Sequence, residues 1–165
     1  MMAERKVQIL IGSDSDAPTM QRTVDLLCDF GISCHMTVAS AHRSPDRVRQ
    51  IVENAPGQGV KVFIVGAGAA AHLAGVVAAH STLPVIGVPI DSSPLKGWDA
   101  LLATVQMPPG VPVATVSVGK AGATNAAVLA AQILAIGDDG IATVVSQYKK
   151  QLAIKVEQAS AKIES

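Results

Sequence analysis

The stretch VQILIGSDSDAPTMQRTVDLLCDFG, residues 7–31, decides the fold. It opens on a short apolar run, Val7 to Ile11, that reads as a buried strand. It breaks at Gly12 and resumes as a helical pattern with Met20, Val24 and Leu27 on one face. Asp16 is positioned to cap that helix and Gly31 to stop it. Apolar runs of the same kind recur at Ser33 to Val38, Val62 to Val65, Val85 to Val88 and Val113 to Val118, with helical patterns between them. Parallel strands cannot be joined by hairpins, so this alternation requires a parallel sheet with right-handed crossovers and helices on both faces. The expected fold is α/β: a three-layer sandwich around a central parallel sheet, flavodoxin-like or Rossmann-like, followed by a C-terminal tail helix. Ligands of such sheets collect beyond the carboxyl ends of the strands, so the loops after each strand matter most.

A length of 165 residues fits a single domain over 1–165, with a core at about 7–136 and the tail helix at about 139–163. Hydrophobic residues make up 49% and charged residues 16%, below the roughly 25% charged of average soluble domains, which implies that other subunits cover part of the surface. The pattern from Ala121 to Ala135 points the same way. Ala126, Ala127, Val128, Leu129, Ala130, Ala131, Ile133 and Leu134 put apolar groups on nearly every helix face, and a second subunit is expected over the outer one. Ile141, Val144, Val145, Tyr148, Leu152 and Val156 form an apolar stripe on the tail helix, which packs on its own domain or on a neighbour.

Lys+Arg and Asp+Glu number 13 each, so no broad electrostatic footprint for nucleic acid or an anionic membrane exists. The charge-free run from Val62 to Ile90 exceeds membrane-span length, but Gly66, Gly68, His72, Gly75, His80, Pro84, Gly87 and Pro89 punctuate it, and it reads as strand, loop, helix and strand. Met1 to Lys6 is short and polar and leads directly into a strand, so no signal or transit peptide is expected and a cytoplasmic location follows. Cys28 and Cys34 lack both a disulfide framework and metal-site spacing, and read as buried, inert thiols.

Three loops carry chemistry. Gly12-Ser13-Asp14-Ser15-Asp16 joins a strand to a helix N-terminus, where backbone N–H groups and the hydroxyls of Ser13 and Ser15 suit a phosphate. Asp16 caps the helix or accepts from a ribose, and a capped turn with no ligand accounts for the same residues. The missing Walker lysine and Gly-x-Gly-x-x-Gly argue against a P-loop and a standard dinucleotide fold. Ala39-Ser40-Ala41-His42-Arg43-Ser44-Pro45 sets a proton carrier, His42, beside a cation, Arg43, that can fork onto phosphate, with Ser44 positioned to cap the next helix and Pro45 at its first turn. Gly66 to Gly75 offers small residues, Gly68 and Ala69 among them, that admit a flat ligand to the backbone. His72, beside Leu73, either lines the site or is a hydrogen-bonded structural histidine; His35 and His80 have weaker claims. No arrangement of His, Cys, Asp and Glu has metal-ligand spacing. Asp99 to Pro112 reads as a loop whose proline-rich turn is rigid enough to cover a pocket.

Gly12-Ser13-Asp14-Ser15-Asp16, Ser40-Ala41-His42-Arg43, Ala70-Ala71-His72-Leu73, Val105-Gln106-Met107-Pro108 and Gly122-Ala123-Thr124-Asn125-Ala126-Ala127 together resemble the PurE-type N5-carboxyaminoimidazole ribonucleotide mutases in order and spacing, over about Val7 to Leu134. The resemblance implies conversion of N5-carboxyaminoimidazole ribonucleotide to 4-carboxyaminoimidazole ribonucleotide in purine (IMP) biosynthesis, without metal or organic cofactor, in a homo-octamer whose sites are shared between subunits. It implies that Ser13, Asp16 and Arg43 bind the ribonucleotide, that Ser15 and Ser40 help, and that His42 is the acid-base residue. Ala41, Gly68, Ala69, His72 and Leu73 are the further substrate-binding positions that follow. The related carboxylases that use free carbon dioxide carry Ser-Ala-His-Lys and lack Ala-Ala-His-Leu, so Arg43 and His72 favour the mutase. Ala69, Ala74 and Ala114 depart from the family's usual Gly, Pro and Gly. A non-catalytic flavin- or nucleotide-binding module is the competing reading, and an aromatic content of 2% speaks against a flavin sandwich.

Overall fold

β1 (Val7–Ile11) is buried at every position: it pairs on both sides, in parallel with β2 (Cys34–Val38) and with β3 (Val62–Gly68), and helices cover both of its faces. The structure, a computed structural model, describes residues 5–164. β4 (Val85–Ile90) continues the sheet beside β3, and β5 (Ala114–Thr115) closes it. Among the described residues the strand order is β2-β1-β3-β4-β5, all parallel, which is the flavodoxin-like order and bears out the expected parallel sheet. The winding reverses at β1: the chain crosses outward to β2 and then back over β1 to β3. The loops that follow β1 and β3 therefore part and leave a crevice at the carboxyl end of the sheet.

The helices cover both faces. Val7, Ile9 and Ile11 point to one side, into a core shared with Met20 and Leu27 of α1 (Ala17–Asp29) and with the alanines of α5 (Gly119–Ala135). Leu10, Phe63 and Val65 point to the other, against Val48 and Val52 of α2 (Pro45–Asn54) and Val77 of α3 (Leu73–His80). This period-two division follows from the strand pleat, and each fully buried Leu, Ile or Phe contributes roughly 1.5–3 kcal/mol. α1 and α5 approach closely because Ala123, Ala126, Ala127 and Ala130 are small and fully buried, and the Thr23 hydroxyl donates to the Ala123 carbonyl at 2.7 Å across the contact. Gly31 ends α1 as expected. Its φ of 70° lets the Ile32 N–H reach back to the Leu27 carbonyl at 2.9 Å.

Several expectations are corrected. Asp16 occupies the cap position of α1 but makes no side-chain cap bond to it. Ser44 likewise gives α2 no side-chain cap; its hydroxyl is committed to the Ser40 backbone. Asp99 to Val105 is not loop: α4 (Trp98–Val105) begins where Gly97, at φ 87°, turns the chain, and Ala100 and Thr104 bury one turn apart. The proline turn spans only 106–112. The last strand shrinks from the expected Val113 to Val118 to Ala114–Thr115, as the chain turns away to start α5 at Gly119. Cys28 is exposed, not buried, while Cys34 is half-buried and burial raises its thiol pKa, with a smaller push from Cys28.

The tail helix α6 (Asp139–Glu164) supplies part of the cover that a second subunit was expected to give α5. Ile141, Val144, Val145 and Tyr148 pack into the α1/α5 core, with Tyr148 edge-on to Phe30 at 5.1 Å. Leu152 and Val156 continue the stripe but stand exposed. No helix among the described residues is long and apolar enough to cross a membrane. The polar lead-in read at Met1 to Lys6 lies outside the described residues for 1–4.

A methyl at Gly122 would overlap the Ser117 backbone carbonyl, which no rotamer change relieves. Gly122→Ala is therefore expected to lower stability by about 3 kcal/mol, read as a fall in the urea midpoint without a change in slope. An unchanged midpoint would contradict the packing at the start of α5.

Candidate active site

Loops from the carboxyl ends of β1, β2, β3 and β4 enclose a cavity of about 250 Å³. The first loop contributes Ser13, Ser15 and Asp16, the second Ser40, Ala41, His42 and Arg43, and the third Gly68, Ala69 and Leu73. Nearly every residue singled out in the sequence thus meets in one crevice, at the switch point where parallel α/β sheets hold ligands.

The first loop is rigid through a reciprocal cap. Ser13 is extended, its hydroxyl accepts from the Ser15 N–H at 3.3 Å, and the Asp16 carboxylate accepts from the Ser13 N–H at 3.2 Å. Ser13 is thus the capping residue, and the Ser-x-x-Asp spacing was the signal for it. The Ser15 hydroxyl donates to the Ser13 hydroxyl at 2.9 Å, so the two form one polar rim. Asp14 is exposed and accepts from Ser13 and Ser15 at its own end of the turn. Asp16 is 5% exposed; burial raises its carboxyl pKa above the ordinary range, the Ser13 N–H opposes that shift, and the charge of Asp14 adds to it.

The second loop closes on itself and reaches the first. Ser44 Oγ accepts from the Ser40 N–H at 3.0 Å and donates to the Ser40 carbonyl at 3.2 Å. The Ser40 hydroxyl accepts from the Arg43 N–H at 3.2 Å, and the Arg43 guanidinium donates to the Gly12 carbonyl at 3.1 Å. One cation is therefore pinned beside the hydroxyl rim of the first loop.

The third loop turns sharply. Ala69 adopts φ 50°, a left-handed conformation costing an L-residue about 1–2 kcal/mol, which explains why glycine suits the position. The Ala71 N–H donates to the Ala69 carbonyl and the His72 N–H to the Ala70 carbonyl, both at 2.8 Å. These turns carry the His72 ring to His42: Nδ1 of His72 lies 2.8 Å from Nε2 of His42, with the rings edge-on and their centroids 5.0 Å apart. One ring donates and the other accepts, and His72 touches the cavity through His42 rather than lining it. Ala74 is buried in the first turn of α3, where the usual proline would cost no hydrogen bond, so the alanine keeps the helix start.

Ser92, in the loop after β4, lines the cavity and was missed. Asp91-Ser92-Ser93-Pro94 has no chemical pattern of its own, and its position after a strand was the one available signal. A methyl on Gly68 would overlap the Ser92 side chain, so glycine there admits it. His35, His80 and the 106–112 turn lie outside this lining. Among the described residues no group of three or more His, Cys, Asp and Glu could hold a metal ion.

The sequence matches the AIR carboxylase family over residues 6–155. The chain belongs to the AIR carboxylase family. It is 47% identical over 159 residues to the N5-carboxyaminoimidazole ribonucleotide mutase of Thermotoga maritima, covering 96% of this chain and 92% of that protein. Identity to the mutase of the same description from Pseudomonas aeruginosa is 55% over 128 residues, 78% of each chain. Among solved structures, Treponema denticola PurE superposes with a TM-score of 0.87 at 29% identity, covering 96% of this chain and 98% of that one. Family membership and fold thus agree with the resemblance carried by the loop motifs.

The raised pKa of Asp16 means that folding disfavours its charged form. That cost is absent below the ordinary carboxylate range and is present in full above the raised value. Asp16→Asn keeps an oxygen for the Ser13 N–H and removes the charge, so its melting temperature at pH 7 should equal or exceed that of wild type. A fall of several degrees would show the carboxylate to be structural.

Proposed function

We propose that this protein is an N5-carboxyaminoimidazole ribonucleotide mutase, which moves a carboxyl group from the exocyclic nitrogen to the ring carbon of an aminoimidazole ribonucleotide in purine biosynthesis. The observation that carries this reading is the convergence in one cavity of a hydroxyl rim, a pinned guanidinium and an imidazole oriented by a second imidazole. Ser13, Ser15 and Arg43 take the phosphate, and Asp16 accepts from the ribose. Ser40, Ala41, Gly68, Ala69 and Leu73 pack round the flat ring, where small side chains allow backbone contact. His72 holds His42 in register.

His42 in its protonated form donates to the carbamate nitrogen as the carbon–nitrogen bond breaks, giving carbon dioxide and the free amine. The enamine-like ring carbon then attacks the carbon dioxide, and His42, now neutral, removes the proton from that carbon. The proton leaves and returns to the same imidazole, and no electron changes hands, so the residues supply every step. Binding the remote phosphate holds the ring against His42 at a separation that chemistry alone would not favour. The gas must stay in the cavity between the two bonds, which requires the open side of the crevice to be covered.

That cover is assigned to neighbouring subunits of a homo-octamer, each copy one PurE-type domain, in the cytoplasm. A low charge content and the exposed Trp98, Leu102 and Val105 on one side of α4 support burial between copies. The family's own description, AIR carboxylase, favours a second reading in which free carbon dioxide is the substrate. In that reading His42 acts only in the second half, as base. Arg43 and the His42–His72 pair favour the first.

His42→Asn is expected to lower turnover by about 10²–10⁴-fold or more while product affinity stays within a few-fold. Turnover close to wild type would overturn the assignment. Arg43→Ala is expected to weaken product binding by about 10–100-fold in equilibrium titration, and an unchanged affinity would remove Arg43 from the phosphate site.

A further inference from the structure

A second polar pocket lies at the outer edge of the sheet, remote from the loops described above in its lining and independent of their proposed role. β2 is an edge strand, and on the face it shares with Gln8 it presents His35 and Thr37 beside α2. Here Arg5, His35, Arg47, Gln50, Asn54 and Gln58 surround a cavity of about 250 Å³, the same volume as the cavity at the strand ends. Arg47, Gln50 and Asn54 recur three and four residues apart, so α2 turns one polar stripe toward it.

The pocket collects cations and donors and contains no acid. None of its lining residues is Asp or Glu, and neither Arg5 nor Arg47 has a carboxylate partner among the described residues. Asp46, the nearest acid in sequence to Arg47, pairs instead with Arg49 at 3.6 Å. Arg47 is also held in place: its Nε donates to the Val38 carbonyl at 3.1 Å and one terminal nitrogen to Thr37 Oγ1 at 3.2 Å. The rest of its five N–H donors have no partner among the described residues. Gln8, 2% exposed, donates to the His35 carbonyl at 3.0 Å and fixes the opposite wall. Burial and then the charge of Arg5 lower the pKa of His35, which favours its neutral ring and leaves the two arginines as the cations of the pocket.

We propose that this edge pocket is a second anion site that binds a phosphate or phosphomonoester dianion between Arg5 and Arg47. A dianion matches the planar donor geometry of the two guanidinium groups that line the pocket, and finds neutral amide donors at Gln50, Asn54 and Gln58 for its remaining oxygens. A carboxylate monoanion would satisfy only part of this donor set. The volume leaves room beyond the phosphate for part of a sugar, so free phosphate and a nucleoside monophosphate share the required chemistry.

The test is calorimetric titration of the full chain at low ionic strength, in an Arg43→Ala background that weakens phosphate binding at the strand ends. One arm uses inorganic phosphate and the other adenosine 5′-monophosphate, each with and without Arg5→Gln, a substitution at a side chain that makes no hydrogen bond to the described residues. The expected result is one saturable site per chain that Arg5→Gln weakens about tenfold or more, while Arg5→Gln alone leaves turnover unchanged. Tighter binding of the monophosphate identifies a nucleotide as the ligand, and equal binding identifies the bare phosphate group. Absence of saturable binding, or superimposable isotherms with and without Arg5→Gln, overturns the proposal.

Discussion

β1 hydrogen-bonds to parallel neighbours on both sides, and most of the molecule follows from that constraint. A strand flanked in this way and covered by helices is largely apolar on both faces, as Val7, Ile9, Leu10 and Ile11 are, and its one polar side chain, Gln8, is buried with its amide donating to the Ile9 and His35 carbonyls. It must also be left and re-approached by crossovers in opposite directions, which separates the loops that follow it and its neighbour. The crevice at Ser13, Ser40 and Gly68 is thus a result of sheet topology before any side chain acts. Chemistry-bearing residues then need only occupy strand ends to face one another.

Within that crevice the parts are coupled. Arg43 spans from the second loop to the Gly12 carbonyl of the first, and His72 spans from the third loop to His42 of the second. Each loop is therefore held by another as well as by its own turn. The left-handed Ala69 and the two tight bonds after it show where backbone strain is accepted to bring the imidazoles together. In the proposed reaction this coupling has a purpose: phosphate held by Arg43 and the Ser13 turn, and a ring held against His42, are registered to one another through the same loops.

The sequence made the strands, the helix faces and the three loops readable because burial on a pleat or helix leaves a periodic mark, as in Met20, Val24 and Leu27. It was less informative where one atom decides. Asp16 and Ser44 look like helix caps, yet the Asp16 carboxylate serves Ser13 and the Ser44 hydroxyl serves Ser40, choices set by loop closure rather than local preference. α4 was hidden because the prolines after it dominate the reading, while the left-handed Gly97 that starts it leaves no periodic sign. Ser92 belongs to the site only because β3 and β4 are neighbours and Gly68 has no side chain, a relation between distant residues. His42 and His72, 30 positions apart, meet because the strands before them, β2 and β3, flank β1 on either side.

The central claim is that the carboxyl group travels between nitrogen and ring carbon without leaving the cavity. It is tested most directly by supplying N5-carboxyaminoimidazole ribonucleotide labelled with carbon-13 in its carboxyl group, in a large excess of unlabelled bicarbonate, and measuring the isotope in the product by mass spectrometry. The account predicts that the product keeps the label. Product carrying the isotopic composition of the bicarbonate would mean that carbon dioxide is exchanged with solution, and would contradict it.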